Sequence, residues 1–239
     1  MALSLVPLTA RTQSCAPTPA GLLAWWPGEN TAVDLVAGNN GSAVGNASFA
    51  SGKVAFAFSF DGNGSGFSVS NSAALQLQNF TIEAWVRRAD SSITTLDSDG
   101  NGLFFGYGFG GYGFGMNASG HLLLTRVNVD GVNSNLSFTN TVFHHVAVTK
   151  SGTNVVFYVD GAGDQVGPYS TSYTFTSTPS IGLRLDALRT VFWGRWMNWP
   201  FTTVRWRPRK SGPFSRQAAP ANALGQPRHS SVSNPRTRW

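Results

Sequence analysis

Residues 54–60 alternate large apolar side chains with small ones, and this two-residue period limits what the chain can fold into. Val54, Phe56, Phe58 and Phe60 are separated by two alanines and a serine. A period of two puts all four large side chains on one face of a β-strand, whereas a helix would scatter them. The segment therefore predicts a strand with these four side chains in a core, and such a strand needs a second layer to cover it.

Similar apolar segments recur along the chain between turn-forming residues. The 239 residues include 27 glycines, and only 12% are charged, which suits short strands joined by tight turns better than long solvated helices. The spacing is typical of an all-β sandwich or jelly roll with one core. The predicted strands are residues 22–26, 54–60, 80–88, 103–107, 121–126, 142–149 and 155–159.

One hairpin is predicted from its turn residues. The apolar run 155–159 ends at Asp160 and Gly161, and Asp-Gly tolerates the positive φ angles that a two-residue hairpin turn demands. We therefore expect a return strand through Val166.

Residues 104–115 form a glycine and aromatic run, FFGYGFGGYGFG. One interpretation is an aromatic platform that stacks on the apolar faces of sugar rings. The other is a pair of strands around a glycine turn with the aromatic side chains in the core, since glycine marks bends and close backbone approach in sheets. The second interpretation is favoured.

Five segments in this order resemble the laminin-G-like, concanavalin A-like lectin/glucanase domains of large secreted bacterial proteins. They are GLLAWWPGE at 21–29, DLVAGNNG at 34–41, GKVAFAFSFDG at 52–62, FTIEAWV at 80–86, and HHVAVT with FYVDG within 144–161. The resemblance covers residues 21–195 and implies a two-sheet antiparallel jelly roll. It also implies an adhesive or carbohydrate-recognising module on an exported protein, located outside the cell or on its surface.

Carboxylates are too few for the hydrolase branch of this fold. Glycosidases need two carboxyl groups on either side of the scissile bond, and the only glutamates, Glu29 and Glu83, belong to no Glu-x-Asp-x-x-Glu pattern. We expect no enzymatic activity.

Calcium is the metal that the sequence favours. Asp34 with Asn39 and Asn40, and Asp61 with Asn63, stand in glycine-rich turns that present oxygen ligands of the kind that Ca²⁺ prefers. The four candidate ligands are Asp34, Asn39, Asn40 and Asp61. The alternative is that these residues close their turns through their own hydrogen bonds.

Two other groups are weaker metal candidates. Adjacent strand residues point to opposite faces, so His144 and His145 are not expected to share an ion. The acidic loop with Asp90, Asp97 and Asp99 lacks the distal glutamate of an EF-hand loop.

Positive charge is concentrated at one end of the chain. Residues 1–188 contain 7 Lys/Arg and 11 Asp/Glu, whereas residues 189–239 contain 10 Lys/Arg and no acidic residue. Arginine beside tryptophan in this end is compatible with a nucleic-acid-binding arm or with a disordered extension. A third interpretation, a frameshift, also explains why the family resemblance ends here. We therefore expect no nucleic-acid ligand.

The resemblance ends after Arg195, where similar domains continue with a last strand of the type Gly-x-x-Asp-Glu-Leu. Trp and Met have single codons, so the bases under residues 196–200 are nearly fixed. A frame starting at the third base of each codon reads Asp-Glu-Leu-Ala. The interpretation is a frameshift near Arg195, which leaves a disordered basic tail at 196–239, no last strand, and an exposed edge at residues 22–26.

The first twenty residues predict a leader or linker ahead of the domain at 21–195. They contain three prolines and the chain's single cysteine, Cys15, and their short apolar run lacks the basic segment of a secretory signal. No run is long enough to cross a bilayer. The chain is predicted to be a non-catalytic module for a carbohydrate or glycoprotein ligand. The alternative is a structural or protein-adhesion module without a sugar site, and the oligomeric state stays open.

Overall fold

The computed structural model describes residues 20–187, 191–197 and 199–202. Cys15 and most of the predicted leader and tail lie outside these residues. Within this part of the chain, one 3₁₀ turn, Ala73–Leu75, accompanies the strands. In chain order the strands are β1 (Leu22–Trp26), β2 (Gly41–Val44), β3 (Ser48–Ser51), β4 (Phe56–Asp61), β5 (Gly66–Val69), β6 (Phe80–Arg88), β7 (Asn101–Gly106), β8 (Tyr112–Asn117), β9 (His121–Arg126), β10 (Asp130–Ser137), β11 (His144–Ser151), β12 (Asn154–Val159), β13 (Ala162–Val166), β14 (Ser180–Ile181), β15 (Trp193–Met197) and β16 (Trp199–Thr202).

These strands form two antiparallel sheets. The nine-stranded sheet has the order β13-β12-β11-β6-β15-β4-β3, with β16 pairing both β1 and β6. The seven-stranded sheet has the order β10-β9-β8-β7-β14-β5-β2. Several neighbouring strands are far apart in sequence, such as β15 between β4 and β6 and β14 between β5 and β7, as in a jelly roll. The predicted all-β two-sheet sandwich is confirmed. Among the residues described, no helix is long and apolar enough to cross a membrane.

Aromatic side chains fill the space between the sheets. Trp26 is fully buried and its ring lies 5.9 Å from that of Phe105 in the opposite sheet. Phe58 contacts Phe67 edge-on at 4.9 Å between ring centroids. Buried aromatic pairs of this kind add to the free energy gained from removing their apolar area from water.

In the segment 54–60, the predicted burial of the large side chains holds only for Phe58 and Phe60. Phe58 and Phe60 are buried, as predicted, but Phe56 is 42% exposed and Val54 is half-buried. Ala55 has a φ of 47°, so the backbone turns there and β4 begins at Phe56. Val54 lies before that turn and so leaves the face that Phe58 and Phe60 share. Phe56 follows the turn as the first residue of β4 and is exposed there, so the prediction was wrong for Phe56.

The predicted hairpin is confirmed. Asp160 and Gly161 have φ angles of 49° and 87°, and β13 returns along β12 with Val155 opposite Val166.

The aromatic run also forms the predicted pair of strands, β7 and β8. Phe104, Phe105, Tyr112 and Phe114 are fully buried, which confirms the core interpretation for these four. Phe109, in the connection between the strands, is 57% exposed.

The predicted domain boundary at Arg195 falls inside a strand and is corrected by the structure. β15 runs on through Trp196 and Met197, both buried, and lies between β4 and β6 near the centre of the sheet. The Trp196 ring lies 4.6 Å from the ring of Phe58. Trp196 and Met197 are large apolar residues, so they can be buried as part of β15 even if a frameshift introduced them.

The predicted exposed edge at residues 22–26 is likewise corrected. β16 lies antiparallel to β1, with Leu22 opposite Thr202 and Trp26 opposite Trp199. Ladder hydrogen bonds are made by the main chain, and aromatic and β-branched residues suit a strand, so residues 199–202 can occupy the place of the expected last strand. The frameshift stays a hypothesis about the gene.

Candidate functional site

The predicted calcium ligand Asp34 is instead the centre of a closed turn. The backbone N–H groups of Trp25 and Val36 donate to its Oδ1 at 2.8 and 3.0 Å. Ala37 N, Asn39 N and Asn39 Nδ2 donate to its Oδ2 at 3.2, 3.0 and 2.8 Å. A carboxylate has about four lone-pair directions, and five donors use them. The turn does not fit a calcium ion as it is folded.

Asn40 takes part in the same turn, because its Oδ1 accepts from Asp34 N at 3.0 Å. The Asn39 carbonyl accepts from the indole N–H of Trp26 at 2.8 Å. The three predicted ligands are therefore brought together, but as the partners of one another and of β1. This is the turn-closing alternative.

Asp61 lies in a second turn, away from these three. Its Oδ1 accepts from Asn63 N at 2.9 Å and from the Ser65 hydroxyl, and its Oδ2 accepts from Asn46 Nδ2 at 3.1 Å. Burial raises the pKa of Asp61, but these hydrogen bonds outweigh burial and hold the pKa below its ordinary value. Calcium binding at Asp61 stays a prediction.

The histidine pair is divided between the two faces of β11. His144 Nδ1 lies 2.6 Å from Asp160 Oδ2, whereas His145 Nε2 lies 3.5 Å from Glu83 Oε2. Glu29, the other glutamate, accepts from Phe56 N at 3.2 Å. Within the described part of the chain, no three His, Cys, Asp or Glu side chains converge on a common metal position.

The three aspartates of the acidic loop have different surroundings. Asp90 Oδ1 accepts from the backbone N–H groups of Ser92 and Ile93, and Asp97 Oδ2 accepts from Val191 N at 3.2 Å. Asp99 is exposed and faces a groove on the seven-stranded sheet.

This groove is the strongest candidate for a binding site. It lies on the outer face of β7, β8 and β9 and has a volume of about 330 Å³, which is at the lower end of the range of ligand pockets. Three aliphatic side chains and five polar ones meet there. The lining residues are Asp99, Asn101, Leu103, Leu123, Thr125, Val127, Asn128 and Arg184.

The groove exists because β8 alternates aromatic side chains with glycine. Tyr112 and Phe114 face the core, so Gly113 faces the opposite side. A Cβ atom at Gly113 would lie 3.1 Å from both Leu103 Cδ2 and Thr125 Cγ2, so a side chain there would fill the floor. The glycine repeat that puts aromatic rings in the core thus also leaves open the outer face.

Arg184 is the charged group of the groove, and its geometry is fixed. Its side chain is 10% exposed. Nε and Nη2 donate to the two oxygens of Asp186, at 2.5 and 3.0 Å, and Nη1 donates to Asn128 Oδ1 at 2.9 Å. Asn128 has a φ of 60°, a conformation that asparagine tolerates better than most residues. Preorganised donors of this kind lose little entropy on binding.

Asp186 connects this arginine to the exposed aromatic residue. Its Oδ2 accepts from Phe109 N at 2.9 Å, and the neighbouring Gly108 N donates to Ser177 Oγ at 2.6 Å. Burial raises the pKa of Asp186, but the hydrogen bonds from Arg184 and Phe109 and the charge of Arg184 together lower it. The loop that carries Phe109 is therefore held beside Arg184.

The groove can bind a ligand that has both hydroxyl groups and apolar C–H faces. Asn101, Thr125, Asn128 and Arg184 offer donors and acceptors, and the aliphatic floor removes apolar surface from water. Sequence reasoning missed Arg184 and Asn128. The short spacing of Arg184 and Asp186 was the only local signal, and it did not show where the pair would lie.

A second pocket is less suited to such a ligand. It has a volume of about 260 Å³ and lies between the loop at Gln78 and the loop at Ser170–Ser172. Lys150 faces it and donates to the carbonyls of Gln78 and Gly152 at 3.3 and 2.7 Å, and burial lowers the pKa of its ammonium group. Its lining residues are polar or glycine, so it offers no apolar floor.

Comparison with known families identifies the class of protein. A model of the concanavalin A-like lectin/glucanases superfamily matches residues 61–194, more than half of the chain. The chain belongs to this superfamily. No curated protein matches the sequence significantly.

Solved structures agree with this fold. Domain 4 of a GH43 extracellular arabinanase from Geobacillus stearothermophilus, in complex with arabinotriose, superposes with a TM-score of 0.62 at 16% identity, over 76% of this chain and 92% of that one. A carbohydrate-binding module (CBM40) of a Ruminococcus gnavus sialidase, bound to α2,3-sialyllactose, gives a TM-score of 0.50 at 11% identity, over 63% and 91%. Trypanosoma rangeli sialidase with the inhibitor DANA gives 0.56 at 19%, over 84% of this chain but 33% of that enzyme. At these identities the likeness establishes the fold.

Proposed function

We propose that the chain is a non-catalytic carbohydrate-binding module that holds its ligand in the groove on β7, β8 and β9. The observation that carries the proposal is the combination of an aliphatic floor, a fixed Arg184 and the exposed Phe109 on a loop tied to that arginine. Flat sugar rings have apolar faces and hydroxyl edges, which match these three features. Two of the similar structures hold an oligosaccharide, which supports this choice of ligand.

The proposal has two further parts: the module is non-catalytic, and it is exported from the cell. Glu29 and Glu83 have different partners on the nine-stranded sheet, away from the groove. The arabinanase with a similar domain is extracellular, which supports export. Hydrolysis of an oligosaccharide by the purified protein would refute the non-catalytic part.

Binding is tested with an immobilised glycan array followed by calorimetry on the glycans that bind. Phe109→Ala keeps the backbone N–H that Asp186 holds and removes only the exposed ring. Because an aromatic ring that stacks on the apolar face of a sugar removes apolar area of both partners from water, we expect affinity to fall about tenfold with an unchanged melting temperature.

The matched control is Phe56→Ala, since Phe56 is also an exposed phenylalanine, 42% accessible, but lies on the nine-stranded sheet. It should leave affinity unchanged. An array on which no glycan binds, or equal affinities for the wild type and Phe109→Ala, would refute the sugar site in this groove.

A structural or adhesive role remains the second candidate, supported by one exposed apolar turn. Val33, Leu35 and Val36 are 41%, 43% and 43% exposed within four residues, and neighbouring apolar groups in water favour protein contacts. A blank glycan array, together with a specific protein partner that Leu35→Ser fails to bind, would favour this role.

A further inference from the structure

The charges around the groove carry an inference about the kind of sugar that it accepts. Arg184 is the single cation among the described lining residues, and both oxygens of Asp186 already pair with it. Bidentate pairs are among the strongest side-chain contacts. The positive charge is thus compensated before any ligand arrives.

Asp99 adds a negative charge to this pair. It is exposed and lines the groove. The described residues at the groove therefore supply one guanidinium group and two carboxylates. A ligand carboxylate would face Asp99 and would compete with Asp186 for Arg184, and both effects oppose its binding.

A neutral sugar meets neither obstacle. Three of the five guanidinium N–H groups of Arg184 donate to Asp186 and Asn128, so within the described residues two are left for hydroxyl oxygens. Asp99 can accept a hydrogen bond from a hydroxyl group, and the floor at Leu103 and Val127 suits a C–H face.

We infer that the groove selects neutral oligosaccharides over acidic ones that carry a uronic or sialic acid. This inference rests on the proposed sugar site. It assigns Asp99 as the residue that excludes anionic ligands, and Asp186 as the residue that keeps Arg184 from attracting them.

The test uses calorimetry with matched probes: lactose against α2,3-sialyllactose, and neutral pentose and hexose trimers against galacturonic acid trimers. We expect each neutral probe that binds to do so at least about tenfold more tightly than its acidic counterpart. Asp99→Asn should raise the acidic-to-neutral affinity ratio roughly two- to fivefold at low salt, because the groove is open to solvent and screens the charge.

Glu29→Gln is the control, since the Glu29 carboxylate accepts from Phe56 N on the nine-stranded sheet and its removal should leave the ratio unchanged. If acidic probes bind more tightly, or if Asp99→Asn does not move the ratio, the selectivity is refuted while the sugar site stands. If no probe and no arrayed glycan binds, the sugar site itself is refuted and the selectivity with it.

Discussion

Arg88 shows how a single buried residue can hold loops together. It is fully buried in β6 and donates to the carbonyls of Asp90, Ala118 and Phe138 at 3.0, 3.0 and 3.2 Å. Burial lowers the pKa of its guanidinium group, and the charge of Asp90 opposes that shift. The three carbonyls belong to separate connections, so the arginine closes one end of the sandwich.

Asp34 likewise accepts from several separate backbone groups, and its substitution tests the calcium prediction directly. In Asp34→Asn an NH₂ group replaces one carboxylate oxygen and faces N–H donors, so buried donors lose their acceptor. We expect a loss of about 2–4 kcal/mol in the free energy of unfolding, of equal size with calcium and with chelator. Urea denaturation under both conditions measures it.

Asp90→Asn is the matched control for that substitution. Both of its donors bind the same oxygen, Oδ1, which asparagine keeps, so the change should stay within about 0.5 kcal/mol. If calcium stabilises the wild type and Asp34→Asn abolishes that stabilisation, this turn binds calcium and the prediction of equal losses is wrong.

At the residue scale the sequence predicts turns better than it predicts buried charges. The Asx interpretation of Asp34 follows from local hydrogen bonding, which depends on nearby residues. Arg88 stands at a core-facing position of an alternating strand, but its three acceptors come from 2, 30 and 50 residues away. No local pattern shows such partners.

At the scale of elements, Asp164 joins the edge strands of the two sheets. It lies on β13, and its carboxylate accepts from Asn135 N, Asn135 Nδ2 and Leu136 N on β10. Burial raises the pKa of Asp164, but these bonds and the charge of His121 lower it overall. Main-chain N–H groups on an edge strand are thereby satisfied without another strand.

The pH dependence of stability tests this bridge. A carboxyl group with a pKa lowered by folding stabilises the native state above its unfolded pKa of about 3.9, and this contribution is lost as pH falls through the folded pKa. We expect Asp164→Asn to lower the free energy of unfolding by about 1 kcal/mol at neutral pH, and by less at acidic pH as the wild-type carboxyl group protonates.

Asp99→Asn serves as the control in the same denaturation series, because the exposed Asp99 carboxylate has no side-chain hydrogen bond among the described residues. A loss for Asp164→Asn that is equal at neutral and acidic pH would mean that the charge of the bridge is unimportant.

Strands were predictable where a short apolar run stands between turn residues, as at residues 121–126, which coincide with β9. The short strands β2, β3, β5 and β14 were not predicted, because two to four residues give too little periodicity and their pairing is decided by the neighbouring strands. β10 has eight residues but was not predicted either, because its sequence DGVNSNLS contains only two large apolar side chains. The strand predicted from residue 54 begins only at Phe56, because Ala55 adopts a positive φ. A positive φ at a non-glycine residue cannot be predicted from the residue type.

At the scale of the whole molecule, the groove is assembled from parts that are distant in sequence. Asp99, Asn128 and Arg184 line one groove only because β7, β8 and β9 lie side by side and because β14, three residues before Arg184, pairs with β7. The fold class could therefore be predicted from repeated local patterns, whereas the candidate site depends on the order of strands in the sheet.

The pairing of β1 with β16 yields the last prediction, which concerns the C-terminal end of the fold. A chain ending at Met197 lacks β16, so β1 loses its ladder along Leu22 to Trp26. Each main-chain hydrogen bond contributes roughly 1 kcal/mol, so about 2–4 kcal/mol of stability should be lost, and the exposed edge should increase aggregation. A chain ending at Thr202 should unfold like the full chain, because residues 203–239 hold no acidic residue and no alternating apolar pattern. Thermal melting with light scattering on all three chains decides the matter. Equal melting of the Met197 chain and the full chain would show that β1 needs no neighbour. Equal instability of both truncated chains would show instead that residues after Thr202 belong to the fold, which contradicts the frameshift interpretation of the tail.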